Sequence, residues 1–239
     1  MPAWTCAGSI ERGLTVNRIG RAAAGIAAPA LNLNRLLLSP FTKALVFVAA
    51  LLPFAALAWG AFNNTLGANP AEALIRGLGE WTLRMLCLTL AVTPLRTLTG
   101  WSALARLRRM LGLFTFFYGC WHFLAFAWLD MGFDLAAIVK DIAKRPFILV
   151  GSAALLLMLP LAATSFNRAI RALGAARWQA LHRAVYGVAG LALLHFFWMR
   201  AGKNDFADVA VYATIVAALL GWRLWRAGRA WQIRRAERS

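Results

Sequence analysis

The hydrophobic residues of the chain gather into six stretches of about 16–22 residues, each near the ~20 needed to cross a bilayer as a helix. They lie at about 44–62, 78–95, 110–129, 147–163, 180–199 and 207–225, and are called spans 1 to 6 here. Ser39-Pro40 precedes span 1 and reads as a helix start. An Asn-Asn-Thr-Leu-Gly-Ala-Asn-Pro loop leads to span 2, which the pattern ends near Pro94. Its polar entry holds Arg76, Glu80 and Arg84, and Glu80 and Arg84 can pair at i,i+4. Residues 130–145 read as an amphipathic surface helix, with Leu135, Ile138, Val139 and Ile142 at helical spacing. Residues 164–177 read as a basic loop, and 200–205 as a short outer turn.

Composition agrees with this pattern. Of 239 residues, 61% are hydrophobic and 15% charged, too apolar for a disordered chain or a single soluble domain. Mean hydropathy is +0.63. The fold expected is an all-α integral membrane protein, a six-transmembrane-helix bundle with both termini cytosolic. Residues 1–41 form a cytosolic extension, 42–226 the membrane domain and 227–239 a basic tail. Residues 1–35 lack the order of a signal peptide.

The net charge of +17 would suit a nucleic-acid partner, but its distribution argues otherwise. With the N-terminus inside, 19 of the 26 basic residues fall on the inner side, from Arg12 to Lys43, Arg96 to Arg109, Arg168 to Arg183 and Arg223 to Arg238. Seven of the nine acidic residues fall outside or within the spans. That asymmetry reports membrane orientation and contact with anionic lipid. Tryptophans near the span ends, such as Trp59, Trp81, Trp128 and Trp198, fit an aromatic belt.

Three cysteines, Cys6, Cys87 and Cys120, make no disulfide framework, and no Cys-x-x-Cys-His run attaches a c-type haem. The chemistry falls to three histidines. His122 lies in the outer half of span 3, His195 near the outer end of span 5, and His182 at the inner end of span 5. Intramembrane ionisable groups are costly and so point to function. His122 and His195 share one depth, where two neutral imidazoles could hold a bis-His haem iron. His182 stands about 19 Å lower, a second level. Thirteen residues turn a straight helix about 220° net, so His182 and His195 share a face only if the helix bends, for which Gly187 and Gly190 are candidates. A proton or ion path and buried structural histidines remain open on these residues alone. Aromatic side chains crowd span 3 (Phe114, Phe116, Phe117, Tyr118, Trp121, Phe123) and span 5 (Tyr186, Phe196, Phe197, Trp198), as core, lipid contact or haem wall. Arg109 and Arg183, at the inner edge, could meet haem propionates or lipid phosphates.

Five stretches carry a family resemblance: Leu66-Gly67-Ala68-Asn69-Pro70, Leu90-Ala91-Val92-Thr93-Pro94-Leu95, Arg108-Arg109-Met110-Leu111-Gly112-Leu113, Lys144-Arg145-Pro146-Phe147, and Trp178-Gln179-Ala180-Leu181-His182-Arg183-Ala184-Val185-Tyr186. Over about residues 42–226 the chain resembles the haem-binding membrane subunit of the bacterial periplasmic methionine-sulfoxide reductase system. That family lies in the ferric reductase-like transmembrane group, with NADPH oxidases and ferric reductases. The resemblance implies a multi-pass cytochrome of the bacterial inner membrane, binding one or two haems b. His122 and His195 match the outer axial pair, and His182 the inner span 5 ligand. The usual span 3 partner of that ligand falls near 108–110, where no histidine stands and Met110 is the candidate.

The resemblance also implies flavin mononucleotide, for which no residue set is assigned. No cytosolic flavin and nicotinamide portion follows span 6, so the expected donor is the quinone pool or a separate cytosolic flavin reductase. The expected acceptor is a periplasmic molybdopterin methionine-sulfoxide reductase subunit, where sulfoxide reduction would occur. Segment 130–145 and turn 200–205 are the expected docking surfaces. The rivals are a stand-alone ferric or quinone reductase and a proton-coupled membrane carrier.

Overall fold

The structure is a computed structural model that describes residues 33–202 and 204–237. The extension at 1–32, with Cys6, and the last two residues of the basic tail lie outside the described residues. Every regular element among the described residues is helical.

A short helix α1 (Leu33–Leu38) leads into α2 (Pro40–Phe62). Ser39 caps α2, its side chain accepting from Thr42 N at 3.1 Å, with Pro40 in the first turn where no N–H is needed. Helix α3 (Pro70–Thr99) repeats the device: Asn69 accepts from Glu72 N at 3.2 Å ahead of Pro70. It ends at Gly100, whose φ of 73° closes it in the left-handed region. Helix α4 (Leu104–Ala125) runs into a π-helical turn at Phe126–Asp130. Then come α5 (Leu135–Lys144), α6 (Pro146–Ala163), α7 (Asn167–Leu173), α8 (Ala175–His182), α9 (Val185–Ala201) and α10 (Ala207–Ala236).

Five segments are long and apolar enough to cross a membrane: Pro40–Phe62, Leu104–Asp130, Pro146–Ala163, Ala175–Ala201 and Ala207–Ala236. Helix α3 has 30 residues but is diluted by Glu72, Arg76, Glu80, Arg84 and Arg96. It compensates by position. Nine of its residues are buried, and it packs against α2, α4 and α10. Its i,i+4 pair forms as expected: Arg84 Nη2 lies 3.0 Å from Glu80, while Arg84 Nε donates to Tyr212 on α10.

Span 2 does not stop at Pro94; α3 continues five residues beyond it, to Thr99. A proline lacks the N–H that would bond the carbonyl four residues back, here that of Leu90. Arg223 on α10 donates to that carbonyl instead, so the helix passes through. In α2 the turn next to Pro53 is altered in a different way. The next amide, Phe54 N, donates to the Tyr118 hydroxyl at 3.0 Å, and that hydroxyl donates to Ala50 O at 2.8 Å. A fully buried tyrosine of α4 is thus inserted into the ladder of α2.

Three further expectations are revised. The surface helix begins only at Leu135, because Asp134 caps it by accepting from Ala136 N and Ala137 N. Of its apolar positions Ile138 is buried and Ile142 half-buried, while Leu135 and Val139 stay exposed. The basic loop 164–177 contains α7 and the start of α8, divided at Gly174 (φ 74°). The break in span 5 falls at Arg183 and Ala184, before Gly187 and Gly190.

Two buried clusters meet on α3. One joins Leu83, Leu86 and Leu90 to Met158 of α6, Val188 and Phe196 of α9, and Val209 and Val216 of α10. The other joins Leu78 and Met85 to Ala50 of α2 and to Phe114 and Tyr118 of α4. Large apolar side chains such as Leu45, Leu52 and Leu156 remain exposed on the outer faces, as lipid contact requires.

Candidate functional site

His122 stands on α4 one helical turn beyond Tyr118, which anchors that helix to α2. Its Nδ1 lies 2.8 Å from the carbonyl of Ile75 on α3. His195 stands on α9, with Nδ1 2.6 Å from the carbonyl of Phe147 on α6. A carbonyl only accepts, so in each ring Nδ1 carries the proton and donates it. With the ring uncharged, as its apolar surroundings favour, this leaves the lone pair on Nε2 bare, the tautomer that metal-ligating histidines use. Neither Nε2 has a hydrogen-bond partner among the described residues.

The two supports are built alike. Four residues beyond each accepting carbonyl stands a glycine, Gly79 after Ile75 and Gly151 after Phe147. A Cβ on Gly79 would come within 3.0 Å of His122 Cε1, and one on Gly151 within 2.7 Å of His195 Nδ1. Each ring therefore lies against bare backbone, held by the carbonyl one turn away.

The ring centroids of His122 and His195 are 6.0 Å apart, with planes at 75°. Both rings line a cavity of about 450 Å³ framed by α3, α4, α6 and α9. Its walls are mostly apolar, among them Leu83, Leu86, Phe123, Phe126, Met158 and Val188. At one end it is polar, lined by Arg76, Arg145 and Arg200 with Glu72 and Asp130. The π-helical turn Phe126–Asp130 forms part of this rim. Arg76 pairs with Glu72, and Arg145 Nε sits 2.9 Å from Asp141.

The other sequence-derived candidates lie elsewhere. His182 stacks on Trp178 with centroids 3.9 Å apart, its Nδ1 3.1 Å from Trp178 O and its Nε2 3.5 Å from Ser165 Oγ. Both its nitrogens are thus engaged in the α8–α9 junction. Met110 packs toward the Tyr118 cluster. Arg109 donates to Asn167 at 2.7 Å, and Arg183 is exposed. Neither arginine lines the cavity; the arginines that do are those at its other end. A smaller recess of about 270 Å³ lies among Thr93, Arg108, Tyr186, Trp222, Arg223 and Arg226. No group of three or more His, Cys, Asp or Glu side chains arranged for a metal ion occurs among the described residues.

Known proteins are similar to this chain in sequence. A model of the ferric reductase-like transmembrane component matches residues 78–193. A protein-methionine-sulfoxide reductase heme-binding subunit, MsrQ, from Polaromonas naphthalenivorans (strain CJ2) is 65% identical over 189 residues, 79% of this chain and 86% of the relative. The chain belongs to the MsrQ family. The MsrQ of Herminiimonas arsenicoxydans is 54% identical, covering 80% of this chain and 87% of its own length. That of Xanthomonas campestris pv. campestris (strain B100) is 45% identical, covering 77% and 86%. No solved structure matches. The family-model match takes in Gly79, His122, Gly151 and His182, and ends two residues before His195.

Proposed function

We propose that this MsrQ-family chain holds one haem b between His122 and His195 and serves as the electron-carrying membrane subunit of a methionine-sulfoxide reductase system. The observation that carries this is the pair itself: two neutral imidazoles, both with Nε2 free, 6.0 Å apart across a mostly apolar cavity. A metal–imidazole bond of about 2 Å on each side, plus about half a ring on each side, fills that separation. Apolar walls suit a macrocycle and the arginine rim suits carboxylates, so the donor set fits the group that the relatives' names specify. Haem iron bound there would supply one-electron redox chemistry.

The chain's own residues do the rest. Ile75 and Phe147 hold each ring's rotation and tautomer through their carbonyls. Gly79 and Gly151 admit the rings, and the leucines and phenylalanines keep out water. His182 supports the α8–α9 junction, and no second haem is assigned to it.

In this reading α3 crosses as the sixth span, both termini are cytosolic and the arginine rim faces the periplasmic side of a bacterial inner membrane; the charge asymmetry supports it. Residues 42–226 form the haem domain. Electrons enter from the quinone pool or a cytosolic flavin reductase and leave at the rim to a molybdopterin-containing catalytic subunit. That subunit reduces methionine sulfoxide in oxidised envelope proteins.

The test uses the chain in proteoliposomes, reduced anaerobically and mixed with purified catalytic subunit and methionine sulfoxide. Rapid reoxidation of the b-type spectrum only when both are present is the expected result. Reoxidation by ferric chelates at equal speed without the partner would instead make this a stand-alone iron reductase.

A further inference from the structure

Arg200 closes the outer end of α9, five residues beyond His195 and so about 7.5 Å further along the helix axis. It lines the cavity rim, and its side chain is only 12% exposed. Its two terminal nitrogens are taken. Nη1 donates to Asp205 at 2.7 Å, and Nη2 to Asp208 at 3.1 Å. The plane of the guanidinium is further fixed over the Phe196 ring, 5.5 Å from its centroid. The third donor is different. Nε is buried and has no partner among the described residues.

A buried N–H without an acceptor is rare in a folded protein. The two aspartates outside hold the fork in place, so Nε cannot turn away to find one. Among the described residues neither Arg76 nor Arg145 has a buried nitrogen without a partner, and Arg145 Nε itself pairs with Asp141. Arg200 lines the cavity, so a group filling that space is the candidate acceptor for this side chain. An arginine already pinned by two carboxylates favours an anionic acceptor, because the remaining edge of the fork still offers a charge-assisted bond. Haem b carries two carboxylate side chains.

We propose, resting on the haem assignment above, that Arg200 holds one of these carboxylates through its Nε–H. Asp205 and Asp208 are its positioning residues, orienting the fork from the outer turn. The rim is thus a carboxylate-binding subsite, and the turn after α9 acts through Arg200 as part of the haem pocket.

The experiment compares haem b with its dimethyl ester, which keeps the iron and macrocycle but cannot present a carboxylate anion. Full-length chain produced without haem is loaded with each in detergent, and release to excess apomyoglobin is followed in the Soret region. In the wild type the ester should leave about tenfold faster or more than haem. In Arg200→Leu that ratio should fall by about tenfold, because haem has lost the bond the ester never made. Arg200→Lys, which keeps the charge but lacks Nε, should fall with it. Asp205→Asn, which loosens the fork but leaves Nε in place, should lower the ratio by less than Arg200→Leu does. Comparing two ligands in one variant cancels any general loosening of the fold. A ratio unchanged in both Arg200 variants overturns the assignment. A wild-type chain that takes up neither ligand overturns the haem reading itself, and this assignment with it.

Discussion

His195 lies directly on Gly151: a β-carbon at that position would stand 2.7 Å from the ring's Nδ1. The same nitrogen donates to the carbonyl of Phe147, one turn earlier on α6. Contact and hydrogen bond together leave the ring one seat. His122, Gly79 and Ile75 repeat the arrangement on α3. Two helices bring the histidines, and two others bring the seats.

Gly151→Ala should therefore weaken haem binding more than any other single-methyl addition. Overpacking of this kind costs about 1–3 kcal/mol, or about 5- to 150-fold in affinity. Gly79→Ala, with its contact at 3.0 Å to a ring carbon, should cost less. Gly190→Ala meets nothing within 4 Å and serves as the control. Haem titration of the apoprotein, followed at the Soret maximum, measures all three. Equal affinities across the set would show that the glycines do not seat the rings.

Tyr118→Phe should destabilise the fold while leaving the haem spectrum unchanged. It removes the hydroxyl that links Phe54 N to Ala50 O and so frees two buried backbone groups beside Pro53. The cost is about 1–3 kcal/mol. Thermal unfolding in detergent should show a lower Tm. An unchanged Tm would mean that the ladder of α2 closes without the tyrosine.

Arg223 and Pro94 should be energetically coupled. Arg223→Leu leaves Leu90 O without its donor when residue 94 is proline. In a Pro94→Ala background the backbone amide returns and bonds that carbonyl itself. A double-mutant cycle on unfolding should give a coupling of about 1 kcal/mol. Additive effects would assign Arg223 to packing alone.

Helix α5 abuts α6 beside Arg145, so it is the expected docking face for the catalytic subunit. Lys140 and Lys144 on it are exposed. Lys140→Glu with Lys144→Glu should slow reoxidation by the partner, with the midpoint potential little changed. Stopped-flow rates equal to wild type would move the docking face elsewhere.

The spans were legible because a lipid-facing helix has to be apolar along its length. Even so, Pro94 misled at the end of α3, since the residue that rescues its orphaned carbonyl, Arg223, is 133 positions away from Leu90. The histidine pair could be read because depth follows from counting along two spans of known direction. The seats could not. Gly79 and Gly151 are two of 19 glycines, and only packing across helices singles them out. The rim failed for a related reason. Arg109 and Arg183 lie at one membrane edge, but the cavity opens toward the opposite edge, where Arg76 of α3, Arg145 of the α5–α6 junction and Arg200 of α9 converge.

The central claim is that His122 and His195 together hold one haem. Pyridine haemochrome quantification and reduced-minus-oxidised spectra of purified wild type and of His122→Ala, His195→Ala and His182→Ala test it most directly. The expected result is about one b-type haem per chain in wild type and in His182→Ala, with loss in both other variants. Haem retained in full when either His122 or His195 is removed, or lost only with His182, would contradict it.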